Sequence, residues 1–265
     1  MVELLSFSNG ILGATEMKSR LDKLLVERGL VPSRERAQAL ILAGNVLVNE
    51  QKVVKSGAPV DAGVSIRLLG EDLKYVSRGG LKLERALEHW HIEVRGLTCL
   101  DVGASTGGFT DCLLQQGAAR VIAVDTGYGQ MDFQLRQDPR VRLLEKTNAR
   151  YLTREQVGEY VALVVMDVSF ISATLVLPAV ITSAYPDPGA RPSDCRMVVL
   201  VKPQFEAGRS EVGKGGIVRD ESAQLGALER VRQSLIQLGA TETDAIDSPI
   251  LGAEGNREFL LYAKL

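Results

Sequence analysis

The stretch from residue 97 to residue 110 constrains the fold of this chain more than any other. Residues 97–102 are almost wholly apolar and predict a short buried strand that ends beside Asp101. Gly103, Gly107 and Gly108 then break the strand, and helical spacing resumes after them. A strand, a glycine turn and a helix N-terminus place free backbone N–H groups beside a small ligand. The stretch therefore predicts a ligand site at the carboxyl end of a strand in an α/β sheet.

Two familiar ligand turns match this stretch poorly. The spacing Gly-x-x-x-Gly-Gly departs from the Gly-x-Gly-x-x-Gly of dinucleotide-binding turns. Residues 103–107 do match the Gly-x-Ser-x-Gly of a nucleophile elbow, with Ser105 at its centre. That fold needs a histidine after the serine, whereas the two histidines, His89 and His91, both precede it. A serine hydrolase is therefore disfavoured.

A methyl-donor site fits better. Residues 117–125 predict the next strand, which ends at Asp125, and a carboxylate there can accept hydrogen bonds from both ribose hydroxyls of an adenosine. We interpret the turn as a site for S-adenosyl-L-methionine. The residues expected to bind this cofactor are Asp101, Gly103, Ala104, Ser105, Gly107, Gly108, Phe109, Asp125 and Asn148.

The composition excludes several other classes of protein. The chain is 45% hydrophobic and 24% charged, which is ordinary for a globular protein. Its three cysteines show no Cys-x-x-Cys spacing and it has only two histidines, so no metal site is expected. No signal peptide is visible, and Asp167 and Pro178 interrupt the apolar run 161–184, so a strand and a helix are expected there instead of a membrane span. We expect a cytoplasmic protein.

The distribution of charge suggests two domains. Residues 17–75 carry 10 Lys and Arg against 7 Asp and Glu, although the whole chain has a net charge of −2. This local basic excess is what a nucleic-acid-binding segment would show. The pattern predicts a tail at 1–16, a small α+β domain at 17–73, which the motif resemblance below assigns to RNA binding, a linker at 74–81 and a larger domain at 82–265.

In the larger domain, predicted strands alternate with predicted helices. Further strands are expected at 141–144, 161–166 and 197–201, and a final pair at 243–246 and 259–263 forms a hairpin at one sheet edge. Such alternation indicates a doubly wound, Rossmann-like α/β sheet. Asp167 and Lys202 each follow a strand, at the edge where the ligand turn lies.

The smaller domain carries a recognisable motif. Arg20-Leu21-Asp22, then Ser33-Arg34 and Gly44-x-Val46-x-Val48-Asn49, resembles the RNA-binding domain named after ribosomal small-subunit protein four. In such domains basic residues on the second helix and the following hairpin face structured RNA, which is read largely through its phosphates and 2′-hydroxyls. The resemblance implies RNA contacts by Arg20, Arg34, Arg36, Lys52 and Lys55.

Four further motifs extend the resemblance. Arg-Gly-Gly-x-Lys, Met-Asp-Val-Ser-Phe, Val-Lys-Pro-Gln-Phe-Glu and Gly-Asn-Arg-Glu-Phe resemble those of the TlyA (hemolysin A) family of ribosomal-RNA methyltransferases, whose catalytic domain is related to FtsJ-type 2′-O-methyltransferases. The resemblance implies methylation of a ribose 2′-hydroxyl in ribosomal RNA or ribosomal subunits, with S-adenosyl-L-methionine as the donor. It also implies a catalytic tetrad of Lys82, Asp167, Lys202 and Glu258. Only this family context selects Glu258 over Glu254.

Lys202 has two possible roles. To act as a general base it must be neutral, and bringing a lysine from a pKa of ~10.4 to 7 costs about 4.6 kcal/mol. Asp167 and Glu258 favour its charged form, so we expect Lys202 to stabilise the developing alkoxide. The alternative for the whole chain is a non-catalytic RNA- or ribosome-binding protein, or a membrane-active hemolysin, with a degenerate methyltransferase fold. The glycine-rich loop 208–219 either closes over RNA or is an ordinary loop.

Overall fold

The structure is a computed structural model that describes residues 18–31, 33–69, 74–185, 195–208, 210–252 and 255–265. The chain divides into two compact units, Met1–Asp72 and Leu73–Leu265. The expected tail at 1–16 lies outside the described residues.

The first unit is a small α+β domain. Its elements are β1 (Lys18–Arg20), α1 (Leu21–Glu27), α2 (Arg34–Leu42), β2 (Val46–Val48), β3 (Gln51–Lys52), β4 (Pro59–Asp61) and β5 (Ile66–Leu68). β1 pairs with β4, and β2 lies between β3 and β5 in an antiparallel sheet. Two helix ends have ordinary capping residues: Ser33 accepts the N–H of Arg36 at 3.2 Å as N-cap of α2, and Gly29, which follows α1, has a positive φ.

The second unit is built on a mostly parallel sheet. Its seven described strands are β6 (Thr98–Val102), β7 (Arg120–Val124), β8 (Val141–Leu144), β9 (Leu163–Met166), β10 (Arg196–Val201), β11 (Glu242–Asp247) and β12 (Phe259–Lys264). They lie in the order β11-β12-β10-β9-β6-β7-β8. The pairs from β10 to β8 are parallel, whereas β12 is antiparallel to both β10 and β11. The predicted doubly wound sheet and its terminal hairpin are confirmed.

Helices cover both faces of this sheet. They are α3 (Gly79–His89), α4 (Gly108–Gln115), α5 (Phe133–Gln137), α6 (Arg154–Val157), α7 (Leu177–Ala184), α8 (Pro203–Glu206) and α9 (Glu221–Gln237). Successive strand residues point to opposite faces. Cys99 accordingly belongs to a core cluster with α3 and α4, whereas Leu100 belongs to one with α7 and α9. Among the described helices, none has the length and apolar character needed to cross a membrane.

The segment expected as a linker, 74–81, packs within the second unit. Tyr75 is buried, and the N–H of Val76 donates to Asp111 at 2.8 Å. A Cβ on Gly80 would lie within 3.0 Å of the Tyr75 ring, and α3 already begins at Gly79. The glycines of this segment permit close packing. From the sequence alone, paired glycines that allow close packing look the same as paired glycines of a flexible linker.

Candidate active site

The glycine turn lies between the end of β6 and the start of α4, against the end of β9. Gly103 has a φ of 86°, and a Cβ on it would lie within 3.0 Å of the Asp167 carbonyl oxygen. Gly107 has a φ of 95°, and a Cβ there would collide with Leu135. Both positions therefore require glycine, for backbone conformation and for space.

Asp125 is tied to this turn. Its Oδ2 accepts the backbone N–H of Ser105 at 2.7 Å, and its Oδ1 accepts that of Gly127 at 2.6 Å. Ser105 itself has a φ of 48°, a left-handed conformation that is uncommon outside glycine. These two hydrogen bonds hold the half-buried Asp125 carboxylate, which follows β7, against the glycine turn.

Asp101 lies beneath the turn. Its carboxylate is fully buried, and Thr110 Oγ1 of α4 donates to its Oδ2 at 2.6 Å. Its Oδ1 has no hydrogen-bond partner among the described residues. Burial raises the pKa of Asp101 to about 7. The hydrogen bond from Thr110 connects Asp101 to the first turn of α4, so Asp101 supports the glycine turn from below.

Two cavities flank the turn and share Gly103, Ser105 and Asp167. The first, of about 260 Å³, is also lined by Ala104, Gly108 and Phe109, and by Ser77, Arg78 and Lys82. The second, of about 400 Å³, contains Asp125 and Asn148. Of the residues expected to bind the cofactor, Asp101 and Gly107 are not in the lining and act on the shape of the turn.

Asn148 is held at the rim of the second cavity by its own backbone turn. Its Oδ1 accepts the N–H of Arg150 at 3.0 Å and so caps the short 3₁₀ helix Ala149–Tyr151. This cap fixes the side chain at the same cavity as Asp125. Two polar groups from neighbouring strand ends thus line one space.

Lys82 and Glu258 form a buried ion pair. Lys82 Nζ lies 2.5 Å from Glu258 Oε2, and the two residues are 8% and 3% exposed. α3 supplies the lysine, and the residue before β12 supplies the glutamate. A Cβ on Gly252 would lie within 3.0 Å of the Glu258 carboxylate, so backbone closes over this pair. The competing residue, Glu254, lies outside the described residues.

Lys202 and Asp167 form a second pair at the ends of adjacent parallel strands. Lys202 Nζ lies 2.5 Å from Asp167 Oδ1 and donates to Ser169 Oγ at 2.7 Å. Met166 is in register with Val199, so β9 and β10 end at the same edge of the sheet. The Lys202 ammonium thus pairs with a carboxylate and donates to one hydroxyl group, and its three N–H groups leave capacity for a further acceptor.

A third cavity, of about 560 Å³, joins the two pairs. Its lining includes Lys82, Lys202 and Glu258. Lys82 also lines the first cavity, and Ser169 and Phe170 also line the second. The four predicted catalytic residues therefore lie where the three cavities meet. The loop 208–219 contributes Val212, Gly215 and Gly216 to the third cavity.

Two aromatic residues of this region were not singled out from the sequence. Phe170 is 92% exposed with a φ of 64°, and its ring centroid lies 5.3 Å from that of Phe205. Both residues line the third cavity. They follow Asp167 and Lys202 by three residues each, a repetition visible in the sequence. The exposure of Phe170 depends on the loop conformation after β9 and has no local sequence signal.

The first unit carries the basic residues expected to contact RNA. Arg20, Arg34, Lys52 and Lys55 are exposed, and Arg36 is half-buried. Arg20 and Arg34 both donate to the buried carboxylate of Asp22. In the part of the chain that the structure describes, no group of three or more His, Cys, Asp or Glu residues is arranged to hold a metal ion.

Two families match the chain. Residues 75–265 match the FtsJ-like methyltransferase family, and residues 19–66 match the S4 domain. These matches coincide with the two compact units and place every predicted tetrad residue within the first-named family.

Curated relatives match the chain along most of its length. The chain is 47% identical over 249 residues to YqxC of Bacillus subtilis, provisionally described as an rRNA methyltransferase, with 94% of this chain and 86% of that protein covered. It is 44% identical to the Mycobacterium tuberculosis 16S/23S rRNA (cytidine-2′-O)-methyltransferase TlyA, with 93% and 90% covered. It is 40% identical to Hemolysin A of Brachyspira hyodysenteriae, with 92% and 98% covered.

A solved structure agrees with the fold. A provisionally described hemolysin from Streptococcus thermophilus superposes with a TM-score of 0.69 at 42% identity, covering 94% of this chain and 89% of that one. Matches of this identity and coverage along both units establish the family. The chain belongs to the TlyA family of methyltransferases, in which an S4 domain precedes an FtsJ-like catalytic domain.

Proposed function

We propose that this chain transfers a methyl group from S-adenosyl-L-methionine to a ribose 2′-hydroxyl of ribosomal RNA. The observation that carries the proposal is the meeting of two lysine–carboxylate pairs, Lys82–Glu258 and Lys202–Asp167, where the two cavities of the glycine turn open into a third. Donor and acceptor can thus approach one another from opposite sides of the same four side chains.

The residues around the turn fit the proposed cofactor. The Asp125 carboxylate, already oriented by two backbone N–H groups, retains lone pairs for the ribose hydroxyls of an adenosine in the second cavity. Asn148 lines the same cavity. The first cavity, with Ser77, Gly79 and the backbone of the turn, would take the amino-acid end. When bound, the cofactor supplies a methyl group on a cationic sulfonium sulfur.

Lys202 is the residue we assign to the reacting hydroxyl. It donates to Ser169 and lies in an ion pair with Asp167, and an ammonium group with three N–H donors can also donate to the ribose oxygen. As that oxygen attacks, it releases its proton to solvent, and a preoriented ammonium stabilises the negative charge that develops on the oxygen. This role differs from general-base catalysis, in which the lysine itself would take the proton.

The Lys82–Glu258 pair fixes the other side of the site. Both side chains are buried, and their ion pair fixes each relative to the other. Lys82 reaches both the first and the third cavity. We assign it to orienting the sugar–phosphate backbone, so that hydroxyl and methyl group align for in-line attack.

Two features support RNA as the substrate. The exposed ring of Phe170 at the third cavity offers a face on which a nucleobase can stack. The S4 domain adds the exposed arginines and lysines of a phosphate-binding surface. The M. tuberculosis relative is named for cytidine in 16S and 23S rRNA, so we propose cytidine as the modified nucleotide and ribosomal subunits as the partner. Such a substrate would locate the reaction in the cytoplasm.

Transfer of labelled methyl from S-adenosyl-L-methionine to purified ribosomal subunits tests the proposal. Nuclease digestion of the product should yield a 2′-O-methylated nucleotide. Asp125→Ala should weaken cofactor binding in calorimetry about 10- to 100-fold, the loss of a charged hydrogen-bonding group. Glu242→Ala, at the edge strand β11, is the matched control and should change nothing. Cofactor binding without methyl transfer would favour a non-catalytic ribosome-binding protein, and the absence of both would exclude the enzyme.

A further inference from the structure

Asp22 is a buried acid that contacts two of the exposed arginines of the S4 domain. Its side chain is 0% exposed, although the two arginines that contact it are about half exposed. Buried carboxylates are rare and need partners. Asp22 has an unusual number of partners: its carboxylate accepts hydrogen bonds from two guanidinium groups, one side-chain amide and one backbone N–H.

The geometry of these bonds fixes both arginines. Arg20 forms a fork on the carboxylate, with Nε 3.0 Å from Oδ1 and one terminal nitrogen 2.9 Å from Oδ2. Arg34 reaches the same Oδ2 at 3.1 Å from α2, and Gln38, one turn further on, reaches it at 3.0 Å. The Arg20 guanidinium holds the pKa of Asp22 well below its usual range, so the carboxylate is charged at neutral pH.

The charges in this cluster do not cancel. One buried negative charge lies between two exposed positive ones, so the cluster presents a net positive charge. Guanidinium N–H groups that do not bind Asp22 remain available to an anion. A free arginine side chain loses considerable rotamer entropy when it binds, whereas one already held in place loses less.

We propose that Asp22 is a positioning residue for RNA binding: it holds Arg20 and Arg34 ready to receive phosphates of ribosomal RNA. The inference rests on the proposed function, since it requires the S4 domain to bind RNA. The proposal predicts that removing this negative charge weakens RNA binding, which is opposite to the effect of charge alone. If charge alone mattered, removing the carboxylate would strengthen binding to a polyanion, whereas loss of positioning weakens it.

The test uses the full-length chain and compares binding to purified ribosomal subunits at fixed salt. Asp22→Asn keeps the size of the side chain, but its amide NH₂ faces the donors of Arg20, Arg34 and Gln38. We expect binding to weaken about tenfold, corresponding to the ordering of two arginine side chains. Glu27→Gln, which removes an exposed negative charge from the same helix, should leave binding unchanged or slightly tighter.

A double-mutant comparison separates positioning from general damage to the fold. When Arg20 and Arg34 are both alanine, Asp22→Asn has nothing left to position and should no longer weaken binding. If Asp22→Asn still weakens binding tenfold in that background, its effect is structural and the inference is overturned. The inference is also overturned if Asp22→Asn alone leaves binding unchanged or makes it tighter.

Arg20→Lys gives an independent test that leaves the buried acid in place. Lysine keeps the charge but cannot form the fork on Asp22. Binding several-fold weaker than wild type supports positioning, and wild-type binding overturns it. Unchanged binding with alanine at both Arg20 and Arg34 would also overturn the inference. Failure of the proposed function looks different: the wild-type chain itself would neither bind ribosomal subunits nor transfer a methyl group to them.

Discussion

Glu206 on α8 accepts a hydrogen bond from the hydroxyl group of Ser172 at 2.6 Å, and its other carboxylate oxygen accepts the N–H of Ala173 at 2.6 Å. Together with the Lys202–Asp167 pair, these bonds join the segment after β10 to the segment after β9 at both ends. The Phe170 and Phe205 rings meet between them. The two segments that carry half of the predicted tetrad therefore form one unit.

Loss of this contact should affect both stability and turnover. Glu206 is buried, and burial raises its pKa. We expect Glu206→Ala to lower the free energy of unfolding by about 1–3 kcal/mol, because it leaves a buried N–H without an acceptor. The turnover rate should fall while cofactor affinity stays near wild type, since the loop with Asp167 and Ser169 is released. Urea denaturation and methyl-transfer rates measure the two effects.

Glu206→Gln is the informative companion variant, because its amide oxygen can still accept the N–H of Ala173. It should recover most of the lost turnover. Glu229→Ala, on the exposed face of α9, is the control and should match the wild-type enzyme. Wild-type turnover in Glu206→Ala would show that the two segments do not depend on each other.

The assignment of Lys202 leads to a second prediction. Lys202→Ala should lower the turnover rate by about 10²–10³-fold, the usual loss when a preoriented donor to a developing oxyanion is removed. Its effect on the dissociation constant of the cofactor should be small. Lys264→Ala, at the opposite end of the sheet, is the matched control. Turnover within a few-fold of wild type would remove Lys202 from the chemistry.

Lys202→Arg distinguishes the two possible roles of this lysine. Arginine keeps the positive charge and the donors but does not become neutral in proteins, so it cannot act as a base. Partial turnover in Lys202→Arg supports stabilisation of the alkoxide. If turnover instead requires high pH, at which the amine at position 202 becomes neutral, the lysine acts as a base.

The part of the site that depends on strand order was predictable from the sequence. In a doubly wound sheet the carboxyl ends of parallel strands share an edge, so Asp125, Asp167 and Lys202 could be assigned to one site without coordinates. The glycine spacing at 103–108 added the turn. These inferences need only the periodicity of strands and helices, which is a local property of the chain.

Glu258 illustrates what local patterns do not contain. A glutamate between Arg257 and Phe259 at the start of a strand in a terminal hairpin has the pattern of an exposed residue, yet β12 lies between β11 and β10 and Glu258 is 3% exposed. Its burial depends on Lys82, 176 residues earlier, and on the backbone at Gly252. Only the family motifs selected it. Such long-range packing cannot be inferred from periodicity.

The buried carboxylate of Asp101 predicts a pH dependence of stability. An aspartate has an ordinary pKa of 3.8, and burial raises that of Asp101 to about 7. Between these values the folded state binds a proton that the unfolded state has lost, so stability falls as pH rises and the full penalty applies above pH 7. At 1.36 kcal/mol per pKa unit the penalty is about 4 kcal/mol.

Asp101→Asn removes this titration while keeping the shape of the side chain and an acceptor for Thr110. The difference in unfolding free energy between Asp101→Asn and the wild type should therefore increase from pH 4 to pH 7 and then level off. Urea denaturation at several pH values measures it, and groups common to both proteins cancel. A difference that does not change with pH would mean that Asp101 ionises normally in the folded protein.

The exposed ring of Phe170 should act on RNA and not on the cofactor. Stacking of a base on an aromatic side chain is worth about 1–3 kcal/mol, so Phe170→Ala should raise the KM for ribosomal subunits about 5- to 150-fold. The dissociation constant of S-adenosyl-L-methionine should change little, because the ring is 92% exposed and lies at the rim of its cavity. Methyl-transfer kinetics and calorimetry give the two quantities.

Two variants show whether the aromatic face itself is responsible. Phe170→Tyr keeps a flat ring and should retain most of the activity, whereas Phe170→Leu keeps an apolar side chain without a ring and should behave like alanine. Phe133→Ala removes another exposed ring, 66% exposed on α5 and outside the lining of the three cavities, and should be silent. If leucine restores the wild-type KM, the contact is apolar packing and no base stacks at Phe170.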